Sequence, residues 1–209
     1  MNEKKRNFDQ AAKTWDSNER RQRLADGVFC AIKDNVPIDK NMRALDFGCG
    51  TGLVSLKIQP LVREIVCADS SMGMLEVLQS KIRASDLDNI STLYLPEGEL
   101  SVISGNYDLI FSSMTLHHIN NLEELFLKFG ELLAENGYLC LADLDSDDGL
   151  FHEDNSGVYH NGFDRSELIS LLKKCGFKYL RDLTAVEIEK EIQSGIKRKF
   201  TIFLIICRK

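Results

Sequence analysis

The chain of 209 residues is poor in the signals of several protein classes. Only 3 prolines and 14 glycines argue against a collagen-like or low-complexity disordered chain. Its longest apolar run, Phe200–Cys207, is broken by Thr201. That is too short for a membrane-spanning helix, which needs about 20 residues. The charged N-terminus, Met1-Asn-Glu-Lys-Lys-Arg-Asn7, is followed by no apolar stretch, so no signal peptide is expected. Lys and Arg (26) are outnumbered by Asp and Glu (32), a net charge of −6 that disfavours a broad phosphate-backbone footprint and hence nucleic acid as partner. Cys30, Cys49, Cys67, Cys140, Cys175 and Cys207 form no CxxC pair. Disulfide frameworks and zinc sites use tighter, paired spacings, so buried, reduced thiols in a cytoplasmic protein are expected. No internal repeat and no low-complexity linker is visible.

What is present is ordinary: 44% hydrophobic and 28% charged residues, the composition of a soluble globular protein. The length suits one domain, which buries roughly 70% of its unfolded surface. Along it, periodicity alternates. Leu24, Gly27, Val28, Ala31 and Ile32 keep one helix face in a stretch that begins near Arg20 and must stop before Pro37. Arg43–Phe47 is a short apolar strand running into a glycine cluster, with a helix expected over 52–59, ended by Pro60. Further strands are expected at 64–68, 90–95, 107–111 and 138–142, and helices around Met74–Ile82 and Leu122–Leu133. Asn121 with Glu124 reads as a helix-start capping pair, and Asn136-Gly137 as that helix's end. Residues 145–163 look irregular. Asp164 caps a helix carrying Leu168, Leu171 and Leu172, and two strands follow, near 177–185 and 199–207. Only about a dozen residues separate those last two, so they are expected to pair antiparallel. Lys197-Arg-Lys199 reads as a solvated turn. Alternating strands and helices imply an α/β, Rossmann-like three-layer sandwich with a mostly parallel sheet.

The chemistry concentrates at Leu45-Asp-Phe-Gly-Cys-Gly-Thr-Gly52, which follows the first strand and opens a helix. Its glycines permit a sharp turn and close approach to a ligand, and the amides of the helix start are expected to face an anionic group. Asp69 closes the second strand about 20 residues later, where an acid accepts hydrogen bonds from a ribose diol. A dinucleotide fingerprint reads G-x-G-x-x-G. Here the third glycine comes one residue early, and Asp46 stands two positions before the first. An acid beside the cradle suits an ammonium group and disfavours a pyrophosphate. Both departures favour S-adenosyl-L-methionine over a nicotinamide dinucleotide, which leaves an NAD-dependent oxidoreductase as a lesser alternative.

Asp46-Phe-Gly-Cys-Gly-Thr-Gly52 resembles the first motif of class I S-adenosylmethionine-dependent methyltransferases. Val66–Met74 is similar to the family's second strand and the helix after it, Tyr107–Ile119 to its fourth-strand segment, and Leu132–Gly137 to the helix end before strand five. The style is that of the branch containing ubiquinone- and menaquinone-biosynthesis enzymes and many small-molecule methyltransferases. The resemblance implies a seven-stranded sheet in the order 3-2-1-4-5-7-6 with strand 7 antiparallel. It implies cofactor contacts from Asp46, Gly48, Cys49 and Gly50 near the methionine end, from Asp69 to the ribose, and from Ser70 and Met74 beside the adenine. Glu97 and Gly98 would sit at the adenine edge, and Ser112 and Ser113 near the sulfonium. Pro96-Glu97-Gly98 replaces the commoner Gly-Asp-Ala, and Asn136-Gly137 the usual Gly-Gly. The Asn-Pro-Pro-aromatic motif that accompanies methylation of exocyclic nitrogens is replaced by Ser112-Ser-Met-Thr115.

The methyl acceptor is expected to be a small molecule, bound at the carboxyl ends of the strands. Methyl transfer from a sulfonium needs alignment first and a general base only for a protonated nucleophile. Candidates for that role are His117, His118, Asp143 and His160, with Asp145 and His152 nearby. His117 and His118 could equally hold backbone at a helix entry. A metal site from Asp143, His152 and His160 lacks tight ligand spacing, so none is expected. Residues 145–163, with the N-terminal helix around Phe8–Trp15, are expected to cover the acceptor pocket; the alternative is a solvated loop. Trp15 either lies over the cofactor or anchors that helix. The whole chain reads as one domain. Residues 1–40 form a helical cap, 41–144 the cofactor-binding core, 145–163 the covering segment, and 164–209 a helix with an antiparallel strand pair. A cofactor-binding adaptor, or an enzyme acting on protein or tRNA, is the alternative function. The sequence does not specify oligomeric state.

Overall fold

The protein is described by a computed structural model covering residues 7–96, 99–152, 154–192 and 195–209. Two N-terminal helices, α1 (Phe8–Ala12) and α2 (Glu19–Asn35), precede the sheet, with a 3-10 turn at Trp15–Ser17 between them. Asn18 caps α2, its side chain accepting from the amides of Arg20 and Arg21, and Val36 before Pro37 is extended as expected. Then follow β1 (Arg43–Phe47), α3 (Ser55–Ile58), β2 (Glu64–Asp69), α4 (Met72–Ala84), β3 (Ile90–Tyr94), β4 (Tyr107–Ser113), α5 (Leu122–Leu132), β5 (Leu133–Leu144), α6 (Arg165–Lys174), β6 (Lys178–Glu191) and β7 (Lys197–Arg208). They form one seven-stranded sheet in the order β3-β2-β1-β4-β5-β7-β6. Only β7 runs antiparallel to its neighbours, β5 and β6.

Period-two alternation explains the three layers. In β4, Leu109 and Phe111 join one core while Ile110 joins the other. In β7, Ile202, Leu204 and Ile206 face one side, and Phe203, Ile205 and Cys207 the opposite one. The first core is closed by Val28 and Ile32 of α2, Ile58 of α3, and Leu75 and Leu78 of α4. The second is closed by Leu125, Phe126 and Phe129 of α5 with Leu168 and Leu172 of α6. Strands buried on both faces read as continuous apolar runs, which is why β1, β2, β4 and β5 stand out in the sequence.

Several boundaries differ from those expected. The helix after the glycine cluster is only Ser55–Ile58, with Pro60 in a 3-10 turn, because Gly52 at φ +80° lies outside helical space. α5 ends at Leu132; Asn136, at φ +62°, belongs instead to an irregularity inside β5, where Tyr107 pairs with Leu133 but Leu109 with Tyr138. The loop between the last two strands shrinks to 192–196, since both strands extend as a ribbon past the sheet. Lys197, Arg198 and Lys199 are therefore strand residues, not a turn, facing Glu189, Asp148 and Glu187 respectively. All six cysteines are free, four of them buried, but Cys30 is exposed and Cys175 half-buried.

Candidate functional site

A cavity of about 1080 Å³ opens over the carboxyl ends of β1, β2 and β4. This lies just above the ~300–1,000 Å³ typical of ligand pockets. One half is formed by Asp46–Thr51, Asp69–Ser71, Met74, Leu95 and Pro96. Gly48 (φ +75°) packs so closely on Thr115 that a Cβ there would lie 2.2 Å from its Oγ1. Gly50 (φ +54°) also needs positive φ, yet a Cβ would meet nothing within 4 Å.

The amides of this loop are already committed. Gly48 and Cys49 both donate to Ala68 O (2.8 and 3.1 Å), and Gly50 donates to Asp69 Oδ2 (2.7 Å). Those three N–H groups therefore do not face an incoming anion. What the loop offers is two carboxyl groups. Asp46 is buried and accepts a hydrogen bond from Ser55 Oγ. Burial, with a smaller contribution from Asp69, pushes its carboxyl up to about 7. Asp69 also accepts from Ser71 N (2.8 Å), and burial likewise raises it. These accepted bonds still leave carboxylate lone pairs for a ligand. The Cys49 thiol, buried beside Cys67, is held well above its usual value and stays protonated.

Of the other residues expected near the cofactor, Ser70, Met74, Ser113 and Trp15 line the cavity. Ser112 does not: alternation sends it to the opposite face, where its hydroxyl donates to Phe47 O (2.8 Å). Glu97 and Gly98 lie outside the described residues.

The other half of the cavity is lined by Phe8, Arg20, Arg21 and Leu24 from the N-terminal helices and by His117 and His118. Phe151, His152 and Tyr159 of the 145–163 segment and Ile188 and Lys190 of β6 complete it. Neither Asp143 nor His160 is on the wall. Asp143 lies fully buried behind His117, whose Nδ1 is 2.7 Å from Asp143 Oδ1. His160 turns its Nε2 to Ile119 O (2.9 Å) and its ring to Phe163. Asp145 is spent on structure, clamped by Arg165 Nε and Nη2 (2.6 and 2.7 Å) and by Thr201 Oγ1. Among the described residues no three His, Cys, Asp or Glu are grouped to hold a metal ion.

The irregular segment is stitched to the 3-10 turn at Leu116–His118. Tyr159 N donates to His117 O (2.9 Å), and His118 Nδ1 pairs with Gly157 O (2.7 Å). The N-terminal helices are fastened at two points that the sequence did not single out. Asp9 Oδ1 accepts from Ser71 Oγ (2.6 Å) and Gly73 N (2.8 Å) at the start of α4, a favourable place for an anion. Those hydrogen bonds, Ser71's first, hold Asp9 below the usual carboxylate range. Asp16 accepts from Thr51 Oγ1 (2.5 Å) and pairs with Lys81, which also donates to Thr51 O (2.7 Å). Phe8 then sits edge-on to both Trp15 and His118, and the Arg21 guanidinium lies 3.7 Å over the Trp15 ring. Partners so distant in the chain leave no short-range pattern to read.

A family model described as a methyltransferase domain matches residues 17–182. An uncharacterized methyltransferase of Schizosaccharomyces pombe is 33% identical over 147 residues, 63% of this chain and 52% of that protein. A malonyl-[acyl-carrier protein] O-methyltransferase of Magnetococcus marinus is 31% identical over 128 residues, 59% of this chain and 45% of the relative. The matched region thus spans about half the length of these curated relatives. Among solved structures, a SAM-dependent methyltransferase from Aquifex aeolicus superposes with a TM-score of 0.70 at 16% identity, covering 96% of this chain and 97% of that one. Fold, strand order, glycine loop and family match agree, and the chain belongs to the methyltransferase domain family, in its class I, S-adenosylmethionine-dependent branch.

Proposed function

We propose that the protein transfers a methyl group from S-adenosyl-L-methionine to a small molecule bound in the cavity. The observation that carries this reading is the chemistry of the glycine loop, which is rich in carboxyl groups and has three of its amides already committed. Such a loop suits an ammonium and a ribose diol and is poorly suited to a pyrophosphate, which wants free N–H donors. When bound, the cofactor supplies an electrophilic methyl on a sulfonium. In this reading Asp46 faces the ammonium, which would favour its ionised form. Gly48, Cys49 and Gly50 admit the methionine end, and Asp69 receives the ribose hydroxyls. Ser70 and Met74 flank the adenine, with Glu97 and Gly98 expected at its edge, and Ser113 adjoins the sulfonium. Trp15 and Phe8 close the site from above.

The acceptor would occupy the half lined by His117, His118, Phe151, His152, Tyr159 and Lys190. Residues 1–40 and 145–163 then act as cap and cover, 41–144 as cofactor core, and 164–209 as the sheet's far edge. Six free thiols suit a cytoplasmic setting. Among the described residues no helix is long and apolar enough to cross a membrane.

Melting in the presence of S-adenosylhomocysteine or NAD tests the cofactor assignment. At 100-fold over its dissociation constant, a ligand that binds only the folded state adds about 2.7 kcal/mol, or roughly 5–10 °C for a chain of this size. The shift is expected with S-adenosylhomocysteine; a shift with NAD alone would sink the reading.

A further inference from the structure

His117 combines three features that the other histidines lack together. It lines the cavity, its ring is only 2% exposed, and its Nδ1 is held 2.7 Å from a buried carboxylate. Asp143 is 0% exposed, and both its oxygens face donors: Oδ1 also accepts from Leu144 N (2.7 Å), and Oδ2 faces His117 N (3.4 Å). An ionised carboxylate only accepts, so the proton of the His117–Asp143 bond resides on Nδ1. Burial pushes the Asp143 carboxyl up, but His117 opposite outweighs that and holds it below the ordinary carboxylate range. In the neutral ring this bond fixes one tautomer, with the lone pair on Nε2. Nε2 has no hydrogen-bond partner among the described residues.

Resting on the methyltransferase reading above, we propose that His117 Nε2 is the general base, that Asp143 is its positioning residue, and that the acceptor is a neutral alcohol or phenol. The reasoning is chemical. A carboxylate or thioether already presents a lone pair at neutral pH and needs no base, whereas a hydroxyl such as a phenol, with a pKa near 10, does. As the hydroxyl reacts, its O–H bond breaks with the electron pair left on oxygen, and the proton passes to Nε2. Oxygen bonds to the methyl carbon supplied by the cofactor, whose bond to sulfur breaks with its pair left on sulfur. The imidazolium so formed lies against the Asp143 carboxylate, which stabilises it, and returns its proton to water when the product leaves.

The neighbouring histidines fit the role less well. The Nδ1 of His118 meets a neutral carbonyl, Gly157 O, which stabilises an imidazolium far less than a carboxylate does. His160 commits Nε2 to Ile119 O, off the cavity. Among the described residues, the titratable groups against the His117 ring are Asp143 from β5, His118 beside it (centroids 4.2 Å) and His152 from the covering segment (4.9 Å).

The tautomer is tested first, without any acceptor, by long-range ¹H–¹⁵N NMR on histidine-labelled protein at a pH where His117 is neutral. A protonated Nδ1 and bare Nε2 are expected for His117; a protonated Nε2 overturns the proposal. Turnover is then followed as S-adenosylhomocysteine release with benzyl alcohol, catechol, benzoate, benzylamine and thioanisole. Methylation of a hydroxyl probe is expected, and His117→Gln should lower its kcat by about 100-fold or more. KM and the dissociation constant of S-adenosylhomocysteine should stay within about threefold. Asp143→Asn, which keeps an acceptor but removes the charge, should lose roughly 10-fold and flatten the acid limb of the pH–kcat profile. Hydroxyl turnover unaffected by His117→Gln, or no hydroxyl turnover by protein that binds S-adenosylhomocysteine, overturns the proposal while leaving the cofactor reading intact. Loss of S-adenosylhomocysteine binding by the unaltered protein would instead overturn the cofactor reading itself.

Discussion

Asp46 carries opposing demands at a single residue. Its burial raises the carboxyl from 3.8 to about 7 in the free protein, whereas the proposed ammonium partner needs it ionised. A carboxyl that binds protons more tightly folded than unfolded costs stability as pH rises, here between about 4 and 7 and by up to roughly 4 kcal/mol. Asp46→Asn removes that cost. The variant should melt close to the unaltered protein at pH 4, melt above it at pH 8, and bind S-adenosylhomocysteine more weakly. A melting difference that does not change with pH contradicts the burial argument. The loop's glycines separate two effects in the same way. Gly50→Ala meets only the left-handed backbone penalty, about 1–2 kcal/mol, because a Cβ there contacts nothing. Gly48→Ala adds a clash with Thr115 and should lose clearly more in urea unfolding; equal losses would contradict that distinction. Asp46, Asp69 and the glycines are legible in the sequence because they stand at fixed offsets from a strand end. Asp9 and Thr115 are not, since their roles depend on Ser71 and Gly48 in remote segments.

At the scale of elements, the N-terminal helices act as a cap held by Asp9 on α4 and by Asp16 on Lys81 and Thr51. Asp16→Ala releases the second fastening without touching either hydrophobic core. Limited proteolysis within residues 7–18 should accelerate severalfold while the melting temperature moves by only a few degrees, and S-adenosylhomocysteine should restore protection. Cleavage unchanged by the substitution would show that Asp16 does not hold the cap. The Phe8–Trp15 helix is visible in the sequence, but its fastening is not. The β6–β7 ribbon shows why some elements escape reading. Only Ile188 of β6 is fully buried, so its outer half carries no apolar run, and its pairing rests on backbone bonds to β7. Exposed pairs such as Glu189–Lys197 (3.5 Å) add little. That outer half nevertheless brings Ile188 and Lys190 to the cavity, with Lys190 Nζ on Phe151 O (2.8 Å). The reading from sequence, which ended this strand near Ala185, missed that wall.

At the scale of the molecule, periodicity conveys the alternating βα units and the antiparallel terminal pair, whereas only the family resemblance implies the strand order that the sheet adopts. It puts the ends of β1, β2 and β4 under a single cavity and leaves the choice of acceptor to the N-terminal cap, the 145–163 segment and the β6 ribbon. Those three parts are stitched by long-range bonds, such as Tyr159 N to His117 O, and so were the least legible. The central claim is that the carboxyl-rich glycine loop holds S-adenosylmethionine, and calorimetric titration with S-adenosylhomocysteine tests it most directly. One site per chain is predicted, weakened at least tenfold by Asp69→Ala, with no heat from NAD. Undiminished affinity in Asp69→Ala, or saturable binding of NAD in place of S-adenosylhomocysteine, would contradict it.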